Sequence, residues 1–233
     1  MSDALLEAIQ TRDVERLAQL LAAGANPNED GRSRYGDVRE YPLHAAIGEL
    51  EELEVVGECG RVAAGPIDAV VLLLRHGAKV TGWNPSREGD PLLMAVIINH
   101  TEAVRLLLAA GAEPNIRDGE GSSPLRVCAD KGYLDVASLL LLCGAAKTIE
   151  EWGGDRAMTA LGLAARGLHV EMVKLLLAHG ADPQGRNVDG LTPLDCLDFV
   201  DSPEGLAVQD SLREIRQLLG AAGSTIPTSD RDK

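Results

Sequence analysis

The sequence predicts an all-α solenoid of paired antiparallel helices, and three observations predict it. A leucine-rich run closed by Gly-Ala recurs, as in Leu20-Leu21-Ala22-Ala23-Gly24-Ala25 and Leu175-Leu176-Leu177-Ala178-His179-Gly180-Ala181. The closing glycines Gly24, Gly77, Gly111, Gly144 and Gly180 are separated by 53, 34, 33 and 36 residues. A box ahead of each later run also recurs. Its fullest form is Tyr41-Pro42-Leu43-His44-Ala45-Ala46, with Asp90-Pro91-Leu92, Ser123-Pro124-Leu125 and Thr192-Pro193-Leu194 as shorter forms and Thr159-Ala160-Leu161 without proline.

Each part of the repeat has a physical reason. Ser, Thr or Asp before the proline can accept a hydrogen bond from an orphan N–H at a helix start. Proline suits the first helical position, where no donor is needed. The closing glycine supplies the left-handed conformation that ends the second helix. Leu and Ala between these marks recur at helical spacing and bury one face. With a period near 33 and a Thr-Pro-Leu-His-like box, residues 1–223 resemble an ankyrin-repeat array. The resemblance implies that the turns between repeats project as short β-hairpin fingers. It also implies that fingers and first helices line a concave binding face.

Taken in order, repeat 1 covers residues 2–24. Ser2 or Asp3 is expected to cap a helix over Ala4 to Gln10, followed by a helix over Val14 to Ala22. Repeat 2, residues 25–77, is too long. It has an extended polar turn at Glu29 to Asp37 and an insertion over 48–66. The first half of that insertion is a candidate extension of the first helix, and its glycine-rich second half is a loop. Repeats 3 and 4 cover residues 78–111 and 112–144. Repeat 5, residues 145–180, has a long turn. Repeat 6, residues 181–223, opens its box at Thr192, carries an insertion over 198–207 and closes on a helix over Val208 to Leu219. Residues 224–233 form a polar tail expected to be disordered. The whole reads as one elongated domain stabilised by contacts between neighbouring repeats.

Aromatic residues are only 3% of the chain, which suits thin stacked helices with small residues between them. The net charge of −14 disfavours nucleic acid and anionic membranes, both of which call for clustered Lys and Arg. It favours a basic protein partner through complementary fields. No apolar run reaches the length of a membrane span. Met1 to Glu7 reads as an amphipathic helix rather than a leader, so a cytoplasmic location is expected. Cys59, Cys128, Cys143 and Cys196 include no close pair, and Cys128 and Cys143 fall at helix positions expected to be buried.

The repeat accounts for every histidine. His44 is in a box, His76 and His179 precede closing glycines, and His100 and His169 open second helices. No carboxylate pair, nucleophile elbow, phosphate loop or ligand spacing marks catalytic chemistry, a cofactor or a metal. A non-enzymatic, monomeric, protein-binding chain is therefore expected.

The candidate binding residues lie in the turns and insertion. Tyr35, Trp83 and Trp152 fall in turns between repeats, where exposed aromatic rings are common binding hot spots. Counting five residues past the Ala after each closing glycine gives Trp83, Arg117, Glu150 and Arg186, a chemically varied set at equivalent finger positions. Glu51 and Glu52 sit in the densest acidic run and are accessory candidates. Small acidic ankyrin proteins resemble immunity proteins that plug bacterial toxins, which implies neutralisation of one basic protein. A cytosolic adaptor that assembles regulatory complexes is the alternative.

Overall fold

The boxes start helices as their chemistry requires. Asp90 accepts the Leu92 N–H at 2.8 Å, Ser123 the Arg126 N–H at 3.4 Å and Thr159 the Gly162 N–H at 3.2 Å. Proline stands in the first turn of the helices that begin at Pro42, Pro91 and Pro124. At the other end, Gly24, Gly77, Gly111, Gly144 and Gly180 all have φ between +84° and +96°. That conformation lets the following Ala N–H bond back to the last helical turn, as from Ala25 to Leu20 and from Ala181 to Leu176, both at 3.0 Å.

The structure is a computed structural model that describes residues 1–32, 39–50, 53–54, 61–62, 67–81, 89–153, 158–199 and 206–224. It divides into two compact units, Met1–Glu113 and Pro114–Lys233.

In the first unit, α1 (Ser2–Gln10) pairs with α2 (Val14–Ala22). A two-stranded antiparallel finger follows, with β1 (Gly31–Arg32) against β2 (Arg39–Glu40), then α3 (Pro42–Gly48). The insertion forms a second antiparallel pair, β3 (Leu53–Glu54) with β4 (Arg61–Val62), in register Leu53 to Val62 and Glu54 to Arg61. Helices α4 (Asp68–Arg75), α5 (Pro91–Ile97) and α6 (Thr101–Ala109) complete the unit. Leu6, Leu17, Leu43, Ile47, Leu73, Leu92 and Leu107 are fully buried here. Ala46, Ala95 and Ala103 are also buried, and their small side chains let the helices approach closely.

In the second unit, α7 (Pro124–Lys131) pairs with α8 (Leu134–Leu142), and α9 (Ala160–Arg166) with α10 (Val170–Ala178). Short 3-10 turns cover Ala145–Thr148 and Asp195–Phe199, and α11 (Leu206–Ser224) packs on α10. Leu125, Leu140, Leu161, Met172 and Ile215 are fully buried. Five second helices carry an acid in the first turn, Glu15, Asp68, Glu102, Asp135 and Glu171, whereas α11 has none. These carboxylates complement the positive end of the helix. Part of the chain's negative charge therefore has a local helical cause.

Several expectations need correction. The N-cap of α1 is Met1, and the Asp3 carboxylate instead accepts the Arg32 N–H at 2.9 Å, tying the helix to β1. Helix α3 does not extend into the insertion: it stops at Gly48, and the chain turns into the β3–β4 pair. The Thr192 box makes only a 3-10 turn. Asp195 reaches back to accept both the N–H and the hydroxyl of Thr192 at 2.8 Å, and the backbone closes by i→i+3 bonding from Leu197 to Leu194. The last helix runs past Gly220 to Ser224, because Ala221 and Ala222 sustain it at a glycine cost of about 1 kcal/mol. Cys128 is buried, and burial pushes its thiol up to about 12. Cys143, expected inside, is exposed. It occupies the solvent-side position that His76 and His179 hold before their closing glycines.

Candidate interaction surface

The turns of the second unit form three successive fingers, and their shape follows from one repeated residue. Six positions past the Ala after the closing glycine stands Asp118 in one finger and Asn187 in another. The Asp118 carboxylate accepts the N–H groups of Glu120 at 2.9 Å and Ser122 at 2.7 Å. Asn187 Oδ1 accepts those of Asp189 at 3.0 Å and Leu191 at 2.9 Å. A short polar side chain closing on its own backbone shapes each tip. The finger between them has an antiparallel bridge, Gly153 to Met158.

Side chains then tie finger to finger. Arg117 forms a two-pronged ion pair with Glu151, with Nε at 2.9 Å from Oε2. Asn115 donates to the Gly144 carbonyl at 3.1 Å. Glu150 accepts the Asp182 N–H at 2.7 Å. The fingers touch so closely that a Cβ on Gly153 would stand 2.5 Å from the Gly121 carbonyl oxygen. Behind them Arg126, in the box position of His44, is buried at 3% exposure. It donates from Nε to the Met158 carbonyl at 2.9 Å and from a terminal nitrogen to Ser122 Oγ at 3.2 Å. His44 makes the matching contact in the first unit, from Nε2 to the Gly89 carbonyl at 3.4 Å. Burial pulls the Arg126 guanidinium down from its usual value, while Asp118 and Asp130 oppose the shift.

The sequence candidates fare differently. Trp152 projects from the middle finger at 53% exposure. Arg117 is exposed but engaged by Glu151, and Arg186 donates to the Gly190 carbonyl within its own finger. Glu150 serves as a tie between fingers. Tyr35, Glu51, Glu52 and Trp83 lie outside the described residues. Sequence reasoning missed Val188, exposed at 56% and placed seven positions past its Ala, as Trp152 is past its own. Extending the register count by two positions finds it. Arg126 was missed because arginine at a box position gives no sign of its own burial.

Glu150 yields a prediction. Partial desolvation, with the Asp182 charge adding, pushes its carboxyl above the usual value, and the Asp182 N–H bond opposes the shift. The group is partly exposed, so solvent screening keeps the energy to a few tenths of a kcal/mol. A carboxyl raised in the folded state is stabilising when protonated. That contribution is present below the unfolded value and is lost as pH rises through the folded one. Glu150→Gln keeps an acceptor for Asp182 and removes the charge, so its melting temperature at neutral pH should match or slightly exceed that of the parent. Glu150→Ala orphans the N–H and should cost about 1 kcal/mol. Equal losses in both variants would show that the charge itself holds the fingers.

Helix pairs, glycine stops, box caps and stacked fingers define a repeat protein of the ankyrin class. Comparison with known proteins agrees. A family model for ankyrin repeats (3 copies) matches residues 61–151, and a single ankyrin-repeat model matches residues 158–188. The chain belongs to the ankyrin-repeat family, whose repeats serve protein–protein interaction. It is 27% identical to human "Ankyrin repeat and SOCS box protein 6" over 238 residues, covering 95% of this chain and 55% of that protein. It is 30% identical to the chicken "Nuclear factor NF-kappa-B p105 subunit" over 159 residues, 68% of this chain and 15% of that protein. A Caenorhabditis elegans "Ankyrin repeat and KH domain-containing protein mask-1" is 40% identical over 103 residues, 44% of this chain and 4% of that protein. The chain thus spans about half the length of the human relative and far less of the other two. Among the described residues no helix is long and apolar enough to cross a membrane, and no three His, Cys, Asp or Glu side chains group as a metal would need.

Proposed function

We propose that this chain is a non-enzymatic binding protein that holds, and by holding regulates or neutralises, a basic protein partner. The observation that carries the reading is Trp152, a ring left exposed at 53% on a finger whose neighbours are tied in place around it. A rigid frame presenting an exposed aromatic side chain loses little entropy on binding. The net charge of −14 speeds encounter with a basic surface. Tyr35, Trp83, Glu51 and Glu52 are further contact candidates on sequence grounds. Neutralisation of one partner, as in bacterial toxin immunity, is the specific form of this reading.

A second reading is that of an adaptor, favoured by relatives whose names join ankyrin repeats to a SOCS box or a KH domain. Affinity capture with the tagged chain, run at low and moderate salt beside a Trp152→Ala control, separates the two. The first reading expects one basic protein at near-equal stoichiometry, weakened by salt and reduced about tenfold or more by the substitution. A spread of substoichiometric partners points to the adaptor. The Trp83→Ala, Trp152→Ala double variant should keep its helical signal and melt within about 0.5 kcal/mol of the parent. Clear unfolding would mean that the rings pack rather than bind.

A further inference from the structure

We infer that the fingers of the second unit take an extended, basic peptide segment of the partner, read by Trp152 and Val188 for its apolar stems and by Glu120 and Asp189 for its charge. The inference rests on the protein-binding reading above and adds the site and the chemistry of its occupant.

Trp152 and Val188 hold the same position in consecutive fingers, and both are more than half exposed. The Glu150 bond to Asp182 ties one finger to the next, so the two apolar side chains stand at matching register positions on linked fingers. The same position in the preceding finger is Gly119, which adds no side chain. Side chains repeating from finger to finger suit a ligand that is itself periodic, which an extended chain is.

Charge selects the kind of chain. Over 114–123, 145–153 and 181–192 the fingers hold six carboxylates against three cations, Arg117, Lys147 and Arg186. Of those cations, Arg117 is held by Glu151 and Arg186 bonds its own finger at Gly190. Glu120 and Asp189 are exposed and form no ion pair among the described residues. An acidic partner would meet uncompensated carboxylates here. A Lys or Arg can lay its methylene stem on the Trp152 ring, gain a cation–π contact and keep its head near a carboxylate.

The test is a random-peptide display selection on the immobilised full chain, counter-screened against a folded Trp152→Ala, Val188→Ser variant. Retained peptides should be rich in Lys and Arg beside apolar residues and be absent from the counter-screen. One such peptide, made synthetically and labelled, should bind about tenfold more weakly to a Glu120→Lys, Asp189→Lys variant and weaken with salt. Peptides that need Trp152 but carry no net positive charge overturn the occupant's chemistry. Peptides that bind parent and variant equally overturn the site. Both results leave the protein-binding reading standing. Selection of no peptide overturns the inference, while that reading is judged by its own capture experiment.

Discussion

Arg126→Ala should lower stability by about 3 kcal/mol, among the largest effects of any single substitution in the second unit. Three losses combine. The Met158 carbonyl loses the Nε–H donor that reaches it at 2.9 Å. Ser122 loses its contact with the guanidinium. A long side chain buried at 3% exposure leaves a cavity behind α7. One gain opposes them, because the guanidinium no longer has to be held out of water. Arg126→Met separates these effects. It restores most of the volume and removes the charge, so it should cost about 1 kcal/mol, the share of the lost carbonyl bond. Urea denaturation of parent and both variants reads the order directly. A methionine variant as weak as the alanine variant would place the stabilisation in the hydrogen bonds rather than in the filling of space. An alanine variant within 0.5 kcal/mol of the parent, roughly the scatter of surface changes, would mean that the fingers do not depend on this side chain.

Gly132→Ala should cost about 2 kcal/mol, twice what the same change costs at Gly24. Both glycines have positive φ, +74° at Gly132 and +89° at Gly24, so both variants share the strain of an alanine in the left-handed region. Only Gly132 has a neighbour in the way. A Cβ there would lie 2.7 Å from the His169 ring, whereas nothing lies within 4 Å of one at Gly24. The ring has little room to retreat, because its other edge packs close to the Gly167 backbone, where even an added Cβ would stand 2.6 Å from it. Displacing it breaks the Nε2–H bond to the Asp130 carbonyl at 3.3 Å, which joins the two helix pairs. In a double-mutant cycle the His169→Ala background should make Gly132→Ala cheaper, down to the Gly24 level. Full additivity would show that backbone strain, and not the ring, sets the cost.

The two cases show why some of this protein is legible from its residues alone. Glycine stops, prolines and Ser, Thr or Asp caps act within a few residues of themselves, so counting them places the helices. Val14–Ala22 emerges at its expected bounds, and the family follows from the spacing. Where a side chain had a second, distant partner, the count failed. Asp3 could have capped α1 but bonds Arg32, 29 residues away. The Thr192 box failed for a local reason instead: it has the right letters, yet Asp195, three residues on, turns back on Thr192 and a 3-10 turn results.

The binding surface divides in the same way. By itself the sequence determined the repeat, the finger positions and the scarcity of aromatic rings that draws notice to Tyr35, Trp83 and Trp152 alike. Only the tertiary structure decided which finger side chains are available. Arg117, Glu150 and Arg186 share a register position, but each bonds a group within the fingers, and Glu151 and Asp182 belong to the neighbouring finger. Trp152 and Val188 make no such bond: valine has no polar atom to engage, and the half-exposed indole N–H can be satisfied by water. Helix and turn signals are local, whereas the commitment of a charged side chain depends on what stands beside it once the repeats stack.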